Sequence, residues 1–187
     1  MTRVCVIRHG ETDWNCAGRI QGREDIELNA KGRAQAKSCS EQLLQFQWDI
    51  IASSPLKRAR ETAQIISGQL GSIPVIEIFD FTERDFGVAS GLTAHEAEIK
   101  FPDGIVLGWE EFDVLKDRAM KAMKNIVEKY EGMNIIVVSH GGLINAMLSY
   151  ITNGDVGTGK TILKNMCINR INYDGEKWEL ELFNYSV

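Results

Sequence analysis

The chain has 187 residues, of which 44% are hydrophobic and 25% charged, the composition of a soluble globular fold with enough length for a real core. Its net charge of −5 excludes a broad basic surface for nucleic acid, so any bound anion must be held by a local cluster of Arg and His. Cys5, Cys16, Cys39 and Cys167 show neither CxxC nor zinc-ligand spacing, and no apolar run is long enough to span a bilayer. Cys5 and Cys167 fall in apolar runs and are expected to be buried free thiols. Without a signal-peptide pattern at the start, a reducing cytoplasm is the expected compartment, with no membrane partner.

Short β-branched runs alternate with stretches of helical periodicity. Arg3 to Arg8 predicts a first strand, which leads into His9, Gly10, Glu11 and Thr12. Asn29 supplies an N-cap for a helix running to about Phe46. Trp48 to Ala52 predicts the second strand, and Ser54-Pro55 then reads as an N-cap with proline at the first helical position, opening a helix towards Gly68. A third strand is predicted over Pro74 to Phe79, and Thr93-Ala94-His95-Glu96 has capping-box spacing. Phe112, Leu115, Ala119, Met123, Ile126 and Tyr130 step by threes and fours, an amphipathic helix that Gly132 can end. Asn134 to Ser139 forms a fourth strand before His140, Gly141 and Gly142, and a helix fits Leu143 to Ile151. Met166 to Tyr173 and Lys177 to Phe183 flank Asp174-Gly175, a strong hairpin signal. The expected fold is α/β, one domain over residues 1–187: a three-layer sandwich with a mainly parallel central sheet flanked by helices and a C-terminal β-hairpin.

Two of the three histidines, His9 and His140, follow predicted strands and precede glycines. Open α/β sheets place ligands at the carboxyl ends of strands, so these two imidazoles are expected to converge. Arg58 falls in the first turn of its helix, where free backbone N–H groups and the dipole favour an anion, and a guanidinium donates two parallel bonds to phosphate. Arg8, Arg58, His9 and His140 therefore resemble a phosphate pocket built without metal. Taken alone, Arg58 and Arg60 read first as salt-bridged residues of a solvated helix face. Glu83 and Asp85 flank Arg84, and either acid could pair with it at the surface. His95 is expected to be solvated, while Trp48, Trp109 and Phe112 read as core or pocket wall.

Arg8-His9-Gly10-Glu11-Thr12, followed by Trp14-Asn15 and Gln21-Gly22, resembles the signature of the histidine phosphatase superfamily, which includes phosphoglycerate mutases and fructose-2,6-bisphosphatases. The resemblance extends, in order, to residues 54–59, to Glu83-Arg84-Asp85-Phe86-Gly87, to Ser139-His140-Gly141-Gly142 and to the closing hairpin. It implies that His9 is a nucleophile forming a phosphohistidine, with Arg8, Arg58 and His140 binding the equatorial phosphoryl oxygens. It further implies that Glu83 protonates the leaving oxygen and then activates water, with Asp85 in reserve. Asn15, Gln21, Gly22 and Gly141 would line the substrate pocket, and no metal or cofactor is implied. One departure stands out. Many phosphatases of this group carry a second acid in a Gly-x-x-Glu-Gly pattern, but this chain has Gly87-Val88-Ala89-Ser90-Gly91, which removes a charge near the substrate entrance.

Residues 154–161 match the phosphate-loop pattern GxxxxGK[ST], but that mechanism needs a strand before the loop and a helix after it. Here a helix precedes and the terminal hairpin follows, so a surface loop is expected. The leading expectation is a phosphatase acting on a small phosphorylated metabolite. The alternative is a phosphoglycerate mutase, against which the short stretch between Gly87 and Trp109 argues, because mutases have extra segments that enclose the bisphosphate. A silent phospho-ligand-binding module is a further reading, but binding alone needs neither His9 nor Glu83. Substrate choice is expected to rest between Gly87 and Asp117, where Phe101, Ile105, Leu107 and Trp109 would either wall the pocket or cover the core.

Overall fold

A computed structural model describes residues 1–186. Its six strands are β1 (Thr2–Arg8), β2 (Ile50–Ser53), β3 (Val75–Glu77), β4 (Asn134–Ser139), β5 (Ile168–Tyr173) and β6 (Trp178–Tyr185), in the order β3-β2-β4-β1-β5-β6. The first four are mutually parallel, whereas β5 pairs antiparallel with β1 and with β6, giving the expected parallel sheet and closing hairpin. The helices are α1 (Asp13–Cys16), α2 (Ala30–Leu43), α3 (Lys57–Gln69), α4 (Ala94–Lys100), α5 (Phe112–Lys129) and α6 (Gly141–Ile151).

The central strands are apolar without interruption because both faces of the sheet are covered. Along β1 and β4, Val4, Val6, Ile135 and Val137 pack with residues of α5 and α6, while Cys5, Ile7, Ile136 and Val138 pack with α2 and α3. That period-two alternation divides one run of hydrophobic residues between two cores and produces the three layers. Cys5, Cys39 and Cys167 are buried free thiols.

Several boundaries differ from expectation. The first turn of α3 is not capped by Ser54 with Pro55 at its first position; the N-cap is Leu56, which has no polar side-chain atom to cap with, and the Ser54 hydroxyl bridges the Leu56 N–H and His140 instead. β3 is three residues long rather than six, since Phe79 already enters a 3-10 turn. α2 stops at Leu43, before Phe46. α1 escaped the periodicity analysis: it is one turn, held by a capping box in which Thr12 and Asn15 exchange bonds. The expected capping box at Thr93 and the turn at Gly175, with φ 109°, are both present.

Because β1, β2 and β4 are parallel, their carboxyl ends open on one edge of the sheet. β1 and β4 are neighbours, with Arg8 opposite Ser139, so the residues that follow them emerge side by side. The loop after β1 lies tightly on α2: a Cβ at Gly32 would meet the Glu11 carbonyl oxygen, so only glycine permits this approach.

Candidate active site

The strand ends bring His9 and His140 together with ring centroids 5.2 Å apart. The His9 N–H donates to the Ser139 carbonyl at 2.9 Å, extending the β1–β4 ladder by one residue, and the Gly10 N–H donates to Thr62 Oγ1 on α3. With Nδ1 of His9 2.7 Å from the Gly10 carbonyl oxygen, that nitrogen must carry the proton, and Nε2 is left with its lone pair. His140 Nε2 lies 2.8 Å from Ser54 Oγ, which itself accepts from the Leu56 N–H and can therefore donate to the ring. His140 then carries its proton on Nδ1, which has no partner among the described residues.

Burial holds the pKa of both imidazoles well below the ordinary value, and the neighbouring Arg58 and Arg8 guanidinium groups push in the same direction. Both rings are thus neutral in the folded chain at neutral pH. Unfolded, each histidine protonates near 6.5. As pH falls below that value the unfolded state binds protons that the folded state refuses, so stability present above pH 6.5 is lost as pH drops towards the folded pKa values. Each histidine steepens this loss by up to about 1.4 kcal/mol per pH unit. Urea unfolding across this range should therefore show a shallower pH slope for His140→Asn than for the parent chain. Identical slopes would contradict the assignment of a neutral His140.

Arg58, the second residue of α3, is fully buried, which rejects the solvated-face reading for it. Its Nη1 and Nη2 donate to the carbonyls of Glu24 at 2.6 Å and Gly22 at 2.7 Å. Arg60 does fit that reading, with a long 3.9 Å pairing to Glu77 at the surface. Arg8 reaches from β1 to donate to the Leu163 carbonyl. Burial lowers the pKa of both guanidinium groups, that of Arg58 to about 10, with Glu83 acting in opposition. The Nε atoms of Arg8 and Arg58 have no partner among the described residues.

Glu83 caps the first turn of α6. Its Oε2 accepts from the Gly142 N–H at 3.0 Å, and its Oε1 accepts from the backbone N–H groups of Leu143 at 3.0 Å and Arg84 at 2.9 Å. A Cβ at Gly142 would stand 2.6 Å from Oε1, so glycine is needed for the carboxylate to come this close. Neither acid pairs with Arg84, whose guanidinium lies over the Trp109 ring at 4.8 Å. Asp85 instead accepts from the Gly87 N–H and pairs with Arg23, outside the cleft.

The cleft, about 310 Å³, is lined by Arg8, His9, Asn15, Gln21, Gly22, Arg58, Glu83 and Gly141, and by residues the sequence reading did not single out, notably Arg19, Phe86 and Asn145. His140 stands behind this lining, in contact with His9. Asn165 is a further omission: its amide donates to the His9 carbonyl at 3.0 Å and to Asn15 Oδ1 at 3.2 Å. Nothing in its local sequence marks it, since the contact crosses most of the chain. Thr161, Ile162 and Leu163 form one wall, so the segment with phosphate-loop letters ends as cleft lining, preceded by α6 rather than by a strand. Ile105 and Leu107 neither wall the cleft nor cover the core but are 75% and 79% exposed, while Trp109 packs edge-on against Phe86 at 5.1 Å. His95 is exposed on α4, and Trp48 is core. No helix of the described residues is long and apolar enough to cross a membrane.

The sequence matches the family described as Histidine phosphatase superfamily (branch 1) over residues 4–186. An uncharacterized phosphatase, PhoE, of Bacillus subtilis is 42% identical over 98% of this chain and 95% of its own length. A metal-independent phosphoserine phosphatase of Arabidopsis thaliana is 37% identical over 97% of this chain and 80% of its own. Among solved structures, a phosphoserine phosphatase from Entamoeba histolytica in complex with 3-phosphoglyceric acid has a TM-score of 0.87 at 31% identity, covering 100% of this chain and 98% of that one.

Proposed function

Because the chain belongs to branch 1 of the histidine phosphatase superfamily, we propose that it hydrolyses small phosphate monoesters through a phosphohistidine formed on His9. The observation that carries this reading is the pairing of a neutral His9, its Nδ1 proton committed to the Gly10 carbonyl, with a carboxyl group, Glu83, lining the same cleft.

In the first step the Nε2 lone pair attacks phosphorus and the ester P–O bond breaks. The leaving oxygen takes a proton from Glu83. Oε1 already accepts two N–H groups and Oε2 only one, so the proton is assigned to Oε2. In the second step Glu83 accepts a proton from water as the water oxygen attacks the phosphohistidine. The P–N bond then breaks and its electron pair returns to Nε2. Arg8, Arg58 and the Nδ1 proton of His140 offset the charge on the transferring group, a preorganised electrostatic clamp of the kind that dominates phosphoryl transfer. Asn15, Gln21, Gly22 and Gly141 line the space for the rest of a small phosphorylated metabolite.

The same intermediate serves a phosphoglycerate mutase, which returns the phosphoryl group to substrate. Hydrolysis is favoured because the segment after Gly87 does not close over the cleft: Ile105 and Leu107 point to solvent, and Ile162, on the cleft wall, is 91% exposed. Water therefore reaches the phosphoenzyme. The deciding experiment measures phosphate release from 3-phosphoglycerate beside its conversion to 2-phosphoglycerate, with and without 2,3-bisphosphoglycerate. Release is expected to exceed conversion in both conditions; conversion that outpaces release and responds to the bisphosphate would establish a mutase.

A further inference from the structure

Behind Glu83, away from the cleft, the guanidinium of Arg118 on α5 is bonded through all of its N–H groups. Nη1 donates to the carbonyls of Asp80 and Thr82, both at 2.8 Å, and Nη2 donates to the carbonyl of Glu83 itself at 2.9 Å. Nε and Nη2 hold the two carboxylate oxygens of Glu110 at 2.6 and 2.9 Å, and Glu110 Oε2 in turn accepts from the Asp85 N–H at 3.1 Å. Both side chains are largely buried, and neither lines the cleft. One planar fork thus grips the main chain before and at Glu83, and the Glu110 carboxylate it holds takes the Asp85 N–H after it. Lysine, a point donor on a flexible stem, has no means of reproducing that grip.

We propose that Arg118 is a positioning residue for proton transfer, which fixes the Glu83 carboxyl against the first turn of α6 by holding its backbone from behind. The proposal rests on the reading of Glu83 as the general acid. The front of Glu83 is set by the N–H groups of Gly142 and Leu143, which leave no freedom to tilt as long as the backbone behind is fixed. The segment does not need Arg118 to stay folded, since Phe81 is fully buried in the core and its carbonyl accepts from Ser139 Oγ at 2.8 Å. Loss of the fork should therefore misplace the acid without unfolding the loop.

The test compares kcat/KM for two substrates that differ in their need for a proton. p-Nitrophenyl phosphate releases a stabilised phenolate, whereas glycerol phosphate must release an alcohol. For Arg118→Lys, kcat/KM on glycerol phosphate should fall about 100-fold, the scale expected for a misplacement of about 1 Å, with less than about a threefold loss on p-nitrophenyl phosphate. Glu110→Gln, which weakens the same fork, should lose activity in the same selective pattern and decides the matter if Arg118→Lys does not fold. Equal losses on both substrates would reduce Arg118 to a structural role and overturn the proposal. Glu83→Gln separates the two levels: if it is selective and the Arg118 and Glu110 variants are not, only the positioning role fails. If Glu83→Gln is itself unselective, Glu83 is not the acid and the positioning role falls with it.

Discussion

His9→Ala is expected to lower phosphate release by at least about 10⁴-fold, the scale of losing a covalent nucleophile whose partners act as a unit with it. No other group of the cleft is placed to take over. His140 Nε2 is engaged by Ser54, Glu83 Oε1 accepts two N–H groups, and the remaining site on Oε2 is the one assigned to the transferred proton. Acid quenching after mixing with radiolabelled phosphomonoester should be avoided in favour of alkaline denaturation, because a phosphohistidine is acid-labile and alkali-stable. The parent chain should carry label that acid releases, and His9→Ala should carry none. Wild-type phosphate release by His9→Ala, or label retained in it, would remove His9 from the mechanism.

Arg58→Met is expected to separate activity from stability. The folded chain keeps a buried guanidinium in a site where Arg8 is also cationic, at a desolvation cost visible in the lowered pKa of both groups. Methionine removes that cost but leaves the Gly22 and Glu24 carbonyls without their donors. The two effects oppose each other, so unfolding free energy in ligand-free buffer should change by no more than about 1 kcal/mol. Activity should nonetheless fall by about 10³-fold, the scale of losing a preorganised charge from the transition state. Inorganic phosphate should raise the Tm of the parent chain, because binding to the folded state alone contributes about 2.7 kcal/mol at a hundredfold excess over Kd, and should barely move that of Arg58→Met. Urea titrations with and without phosphate check both halves. A variant that unfolds outright would show that Arg58 serves the fold first.

The sequence made the two central histidines and their strands legible because the pattern is local: a β-branched run, then histidine, then glycine. Arg58 was visible through its place in a helix's first turn, although its burial was not, since the same letters describe a solvated face. Ser54 was misread because a serine before proline satisfies the rule for an N-cap, whereas its hydroxyl is drawn to an imidazole that arrives from β4. Asn165 and Arg118 were missed for a related reason. Each acts through carbonyl groups on segments remote in the chain, and periodicity reports which element a residue joins but not which backbone its side chain meets. The four residues of α1 are too few to show a period, and β3 looked longer than it is because apolar residues continue past the point where the chain coils into a 3-10 turn.

The anchoring of Arg8 and His9 by Leu163 and Asn165 has a temporal consequence. The Leu163 carbonyl accepts from Arg8, the Asn165 amide donates to the His9 carbonyl, and β1 finds one of its two neighbours only when β5 exists. During synthesis His9 emerges 156 residues before Asn165, whose amide anchors its carbonyl. A nascent or truncated chain ending before Leu163 carries both histidines, Arg8, Arg58 and Glu83, but it lacks the contacts of Leu163 with Arg8 and of Asn165 with His9. Such contacts, distant along the chain, form late because their loop-closure entropy must be overcome first. Hydrolytic capacity should accordingly switch on when these contacts form rather than grow with chain length.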